Sequence, residues 1–192
     1  MQVELGEAAR GIESYHKALE LKPDFAEAWS NLGDALGTIG DESGEIEAYR
    51  RAIEINPQLA PVWSNLGNAL LDAGRIGEAL LSCRRATELD PDYAAGWNNL
   101  GNALHQCGEH DAAVTACESA LRLAPRLTAG WSTLGAALHA LGRYEDAIRA
   151  HQNAIDIQPG DAHHHFNLGV TLQHCGRGPE AVASLRRALA ID

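Results

Sequence analysis

The stretch WNNLGNAL, residues 97–104, decides how this chain folds. Spaced as a helix, Trp97, Leu100, Gly101 and Leu104 fall at i, i+3, i+4 and i+7, a single face that wants burial. Asn98, Asn99, Asn102 and His105 are left on the other side. Asparagine is an indifferent helix former whose side chain competes for backbone hydrogen bonds, so folding gives a helix no reason to collect three of them. The question is what those amides do.

Working outward, the same pattern returns every 34 residues. Prolines stand at Pro23, Pro57, Pro91, Pro125 and Pro159. One glycine column runs Gly33, Gly67, Gly101, Gly135 and Gly169, and a second runs Gly6, Gly40, Gly74, Gly108, Gly142 and Gly176. Leu32, Leu66, Leu100, Leu134 and Leu168 keep the register, as do Trp29, Trp63, Trp97 and Trp131. An alanine column, Ala18, Ala52, Ala86, Ala120, Ala154 and Ala188, makes a sixth. Columns in one phase at this period mark a repeat protein. Each unit reads as two helices. The second glycine column follows the first helix, where a positive φ suits glycine. Each proline closes the second helix, because it lacks an N–H and restricts the residue before it. The first glycine column, with Ala79, Ala113, Ala147 and Ala181, lets paired helices approach closely. Pro61 and Pro179 fall in first turns, where proline is tolerated.

Trp29, Leu32, Gly33, Tyr49, Ala52 and Pro57, with their counterparts in the other units, give the sequence a resemblance to tetratricopeptide repeat (TPR) arrays over essentially the whole chain. The resemblance implies an all-α fold, a right-handed α-solenoid of stacked antiparallel helix pairs forming one continuous domain. By register the units are 26–59, 60–93, 94–127, 128–161 and 162–192. Residues 1–25 supply the end of a first helix and one complete second helix. No unit buries enough apolar surface alone, so neighbours must supply the rest and stability is roughly a sum over interfaces. Val182, Leu185 and Leu189 on the last helix have no polar replacement, so either the chain is a fragment of a longer protein, the favoured expectation, or its ends pair with other copies.

Composition narrows the function. The 192 residues are 45% apolar and 5% aromatic, with a formal charge of −11 and a pI near 5.2. That balance argues against nucleic acid or an anionic membrane surface as partner. No apolar run approaches the ~18–20 residues of a membrane span, and the first residues show no secretion signal. A cytoplasmic protein is the expectation.

In TPR arrays the first helices line the concave surface, and the resemblance implies the same here. Opposite each Trp and Leu stand Ser30, Asn31, Asp34; Ser64, Asn65, Asn68; Asn98, Asn99, Asn102; Ser132, Thr133, Ala136; and Phe166, Asn167, Val170. The column Asn31, Asn65, Asn99, Thr133, Asn167 resembles the asparagine ladder in the TPR region of O-linked N-acetylglucosamine transferases, where amides hold the backbone of an extended peptide. An amide offers two donors and two acceptor lone pairs, so it can pair with any peptide bond. The competing reading makes these asparagines bridges between adjacent helices. Thr133, Ala136 and Val170 weaken the amide surface toward the C-terminal end, so units two and three are expected to carry the strongest patch.

No Lys or Arg occurs in 26–39, 60–73, 94–107, 128–141 or 162–175. Chaperone-binding TPR domains clamp a C-terminal carboxylate with such cations, so that clamp is not expected here. Glu27, Asp34 and Asp72 tilt the groove acidic and favour a neutral or basic extended segment over an acidic C-terminus. Arg50, Arg51, Arg84, Arg85, Arg186 and Arg187 fall on second helices, a solvated outer face. His105 and His139 are equivalent residues of adjacent units and candidates for a pH-sensitive groove row.

His163, His164 and His165 invite a metal site, but consecutive helical residues point apart, and His165 holds the slot of Trp in four other units. Cys83, Cys117, Cys107 and Cys175 read as core positions without CxxC spacing. No GxSxG, phosphate-binding loop or HExxH is present, so no catalytic residue, metal or cofactor is assigned. Glu45 stands where the four following units have Ala79, Ala113, Ala147 and Ala181; a buried unpaired carboxylate is costly, so this helix pair is expected to open or tilt and leave Glu45 wet. The sequence thus reads as a non-catalytic peptide-binding module using Asn31, Asn65, Asn68, Asn98, Asn99, Asn102, His105, His139 and Asn167. The alternatives are the substrate-recognition arm of a larger enzyme, of glycosyltransferase or sulfotransferase type, and a scaffold that associates end to end.

Overall fold

A computed structural model describes residues 2–191, with side chains from Gly6 onward. The described residues form eleven helices and no strand: α1 Gln2–Leu21, α2 Ala26–Thr38, α3 Glu42–Ile55, α4 Ala60–Asp72, α5 Ile76–Leu89, α6 Ala94–Gln106, α7 His110–Leu123, α8 Thr128–Ala140, α9 Tyr144–Ile157, α10 Ala162–His174 and α11 Gly178–Ile191. The fold is all-α, helix pair after helix pair. The chain divides into two compact units, residues up to Gly96 and residues from Trp97 onward. In the first, α2 packs on α1 and α3, and α4 on α3 and α5. In the second, α8 packs on α7 and α9, and α10 on α9 and α11.

The turns follow from the second glycine column. Gly40, Gly74, Gly108, Gly142 and Gly176 all have positive φ, between 71° and 82°. Around Gly74 the next residue's amide, Arg75 N, donates to Leu70 O at 2.8 Å, and Gly74 N donates to Leu71 O at 2.9 Å. These two bonds satisfy carbonyls that the end of α4 leaves open, the Schellman closure of a helix. Gly6 departs from its column. It lies inside α1, a 20-residue helix that runs unbroken through the expected turn.

The first glycine column receives a side chain. A Cβ on Gly33 would come within 2.7 Å of the Tyr49 ring, on Gly101 within 2.6 Å of Cys117 Sγ, and on Gly169 within 2.7 Å of Leu185 Cγ. Gly67 and Gly135 stand as close to Cys83 and His151. The residue 16 places on, in the second helix, therefore fills the hole each glycine leaves in the first. Cys83 and Cys117 are fully buried in this slot, and burial pushes both thiols up to about 12. They are core residues. Cys107 is not. It sits just past α6 and is exposed, and Cys175, in the same slot after α10, is half-buried. At the end of a helix the side chain points off the packed face, which overturns the core reading of Cys107.

Glu45 is also explained without an opened pair. The carboxylate stands over Gly37, whose added Cβ would lie 2.7 Å from Glu45 Cδ. Gly37 occupies the column held by Leu71, His105, His139 and Gln173. Elsewhere a large residue faces alanine; here a glycine faces a large residue, and α2 and α3 stay packed. Glu45 ends up half-buried rather than wet. Burial first, then the charges of Asp72, Asp34 and Glu42, raise its pKa.

The tryptophans explain the proline period a second way. Trp29, Trp63 and Trp131 donate their indole Nε1–H to the carbonyl of the proline six residues earlier, Pro23, Pro57 and Pro125, at 2.9, 3.0 and 2.9 Å. His165 keeps this link, with Nε2 3.1 Å from Pro159 O. Because a carbonyl only accepts, Nε2 of His165 carries the proton. Trp63→Phe removes the donor and keeps the ring, and is expected to cost about 1 kcal/mol of stability in urea unfolding. An unchanged midpoint would show that water replaces the bond at no cost.

Candidate functional site

In the first unit Asp34 meets Asn65 and borders a depression with Asn31. Tyr49 Oη donates to Asp34 Oδ1 at 2.6 Å, and Asn65 Nδ2 donates to the same oxygen at 3.2 Å. One carboxylate on α2 thus ties α3 and α4 together, and one Asn65 donor is spent inside the protein. Burial, followed by the hydrogen bond to Asp34, holds the Tyr49 phenol firmly protonated. Asn68 is exposed and its Nδ2 reaches Asp72 at 3.4 Å. Asn31 is exposed and borders a shallow depression of about 290 Å³ with Tyr15, Asp34 and Thr38.

In the second unit Asn98, Asn99 and Asn102 are half-buried along α6. Asn98 Nδ2 donates to Asn99 Oδ1 at 3.3 Å, and Asn98 Oδ1 accepts from Thr133 Oγ1 of α8 at 3.4 Å. Asn102 Oδ1 accepts from Gln106 at 3.4 Å. Asn98 and Asn102 therefore link a helix or a neighbour and have further donor and acceptor sites, since each carboxamide has four.

The histidines sort by position. His105 Nδ1 lies 3.2 Å from His110 Nδ1. His139 Nδ1 lies 3.0 Å from Thr171 Oγ1, which itself donates to Asn167 O at 2.9 Å. With the Thr171 proton used, its oxygen accepts, so His139 Nδ1 is the protonated nitrogen. The His139 ring meets His174 edge-on at 4.7 Å. Burial, then a neighbouring imidazole (His110 or His174), lowers the pKa of His105 and of His139. The three consecutive histidines diverge: His163 is in solvent, His164 is buried, and His165 bonds Pro159. His164 Nε2 is 3.5 Å from Asp161 Oδ2, outside hydrogen-bonding geometry, and both ring nitrogens lack a partner. Among the described residues no group of three or more His, Cys, Asp or Glu is placed to hold a metal.

His105, His139 and Asn167 come together around one cavity of about 230 Å³. Ala136, Ala140, Phe166 and Val170 form its apolar walls, and Thr171 and His151 complete the lining. His151, from α9, is 2% exposed, its Nδ1 has no partner, and burial pushes its pKa down to about 4. Sequence reasoning missed this cavity because it looked for polar groups. Its signal is Ala136 in the column Asp34, Asn68, Asn102, Ala136, Val170: a small residue where longer ones stand leaves a hole.

The units also differ in charge. Residues 1–96 carry seventeen Asp and Glu against eight Lys and Arg, whereas eight of the nine histidines lie in residues 97–192. A larger hollow in the first unit, about 560 Å³, involves none of the expected residues. It lies over Trp63, Leu66 and Leu81 on the second-helix side, where Arg50 and Glu78 pair at 2.9 Å. On α11, Val182 (48%) and Leu189 (81%) are exposed. Among the described residues no helix is long and apolar enough to cross a membrane.

Tetratricopeptide repeat models match residues 2–40, 26–59, 64–127, 135–176 and 167–191. Among curated proteins none matches the sequence. Among solved structures, a crystal structure of MamA is 28% identical and superposes with a TM-score of 0.70, covering 83% of this chain and 94% of that one. YrrB, described as a TPR protein with an unusual peptide-binding site, is 21% identical over 94% of this chain and 93% of its own, with a TM-score of 0.69. The APC/C hetero-tetramer Cut9–Hcn1 gives a TM-score of 0.88 at 22% identity, over 97% of this chain and 37% of that one. Repeat period, helix pairing and matches along the chain agree: the protein belongs to the tetratricopeptide repeat family.

Proposed function

We propose that this chain is a non-catalytic protein-interaction module that holds an extended protein segment against the faces of its first helices. The family and the solved neighbours support an interaction module in general. The finer reading rests on one observation: three of the expected residues, His105, His139 and Asn167, border a single cavity. Asn31, Asn68, Asn98, Asn99 and Asn102 supply amides for main chain, and Asn65 contributes the lone pairs and N–H not committed to Asp34. First helices without Lys or Arg, and the cluster Asp34, Glu45 and Asp72, favour a segment that is neutral or basic there. YrrB, with its peptide-binding site, is a parallel in kind.

The test compares the native chain with Asn68→Ala/Asn102→Ala on an array of unstructured peptides. Losing two hydrogen bonds to main chain weakens capture roughly tenfold or more, with thermal unfolding unchanged. Equal capture by both proteins would sink the amide reading.

A further inference from the structure

The cavity between α8 and α10 is a built site rather than a dent. Its floor is His151, a ring 2% exposed: Nδ1 is sealed beside Gly135, so the polar atom it can offer the cavity is Nε2, which has no hydrogen bond among the described residues. A buried polar atom without a hydrogen bond is costly and rare in a folded protein, and an incoming group that pairs with it recovers that cost. The walls are Ala136, Ala140, Val170 and the half-exposed Phe166. No Asp, Glu, Lys or Arg lines it, so a charged group entering would lose its water and gain no counter-charge. His139 turns its protonated Nδ1 to Thr171, which leaves the other ring nitrogen as an acceptor.

Size narrows the occupant. A dry cavity of about 150 Å³ takes a benzene ring, and this one measures about 230 Å³, room for one ring bearing a polar tip. A phenylalanine would leave Nε2 of His151 bare, and a serine or threonine would leave the walls uncovered. A phenol satisfies both demands, because its hydroxyl donates or accepts and its ring packs against Phe166 and Val170. We propose that this cavity is a specificity pocket that accepts the phenol side chain of a tyrosine from the bound segment, with His151 as its hydrogen-bond partner. The tyrosine's place in a protein segment rests on the function proposed above; the phenol chemistry does not.

The probe is p-cresol, the side chain of tyrosine, followed by NMR through the imidazole signals of His139 and His151. Saturable shifts are expected for p-cresol, with binding roughly tenfold weaker for toluene, which lacks the hydroxyl, and none for p-tolyl phosphate, which carries charge. His151→Leu, read through His139, is expected to bring p-cresol and toluene to similar affinity. The variant is built to fold, because Leu185 occupies the same slot against Gly169. Ala136→Leu fills the cavity and is expected to abolish both. Equal binding of p-cresol and toluene by the native protein, or no saturable shift, would overturn the proposal. The two readings fail separately. Amide-dependent capture of peptides without p-cresol binding sinks the pocket alone, and p-cresol binding without amide-dependent capture sinks the amide reading alone.

Discussion

Gly67→Ala is expected to destabilise the first unit by roughly 1–3 kcal/mol through overpacking, although alanine in a helix is intrinsically better than glycine by about 1 kcal/mol. The added Cβ would collide with Cys83 Sγ, and it would meet the backbone Ala79 O at 3.3 Å and Cys83 N at 3.4 Å. Neither can yield easily: Cys83 is fully buried, and the backbone atoms belong to α5. Gly37→Ala makes the contrast. The three atoms nearest its new Cβ are the far end of Glu45, a half-buried side chain that can swing away, so the same exchange is expected to be neutral or to stabilise by up to about 0.5–1 kcal/mol. Cys83→Ala added to Gly67→Ala removes the struck atom and is expected to recover more than about 1 kcal/mol of the loss, a coupling that a double-mutant cycle measures. Urea midpoints of five proteins decide it: the native chain, Gly67→Ala, Gly37→Ala, Cys83→Ala and Gly67→Ala/Cys83→Ala. Equal effects at Gly67 and Gly37 would mean that the glycine column is not a packing requirement.

The second large effect is a dependence on acid that travels with His151. Burial holds its folded pKa near about 4, with the charges of His139 and His164 acting in the same direction. In the unfolded chain histidine takes up its proton near ~6.5. Between those values the unfolded state binds more protons than the folded one, so acidification removes stability. The contribution is whole above the unfolded pKa and is lost progressively as pH falls toward the folded one; by about pH 5 some 2 kcal/mol is gone. His151→Leu lacks this loss. Its unfolding free energy is expected to fall by about 2 kcal/mol less than the native protein's between about pH 7.5 and pH 5. Glu78, Asp146 and Glu180, held below the usual carboxylate range mainly by hydrogen bonds from Arg75, Arg143 and Arg177, also lose their contribution in acid. Both proteins share them, so the difference isolates His151. Parallel falls would show that the folded protein protonates His151 without strain.

Much of the architecture was legible because it depends on neighbours along the chain. A glycine with positive φ, a proline after a helix and an indole six residues from a proline carbonyl are all fixed within one unit. Errors arose where a column was taken to mean the same thing in every unit. Gly6 kept the column and lost the turn, because the helix runs through it. Cys107 kept an apolar slot that lies past the end of α6, where little packs over it.

The candidate site was legible only in part. The face of the first helices and the absence of cations upon it could be read from residue spacing. Whether an amide is spent or available could not, because its partner comes from another unit: Asn65 meets Asp34 at a separation of 31 residues, Asn98 meets Thr133 at 35, and His139 meets Thr171 at 32.

By itself, then, the sequence determined the repeat, the helices, the turns and the face that carries the asparagines, since these rest on local backbone preferences and a fixed period. Only the tertiary structure decided that Glu45 shelters over Gly37, that Asp34 ties down Asn65, and that Ala136 opens a cavity onto an unpaired His151. Each of these depends on which side chains meet when helices pack, and packing joins residues that the period alone cannot pair.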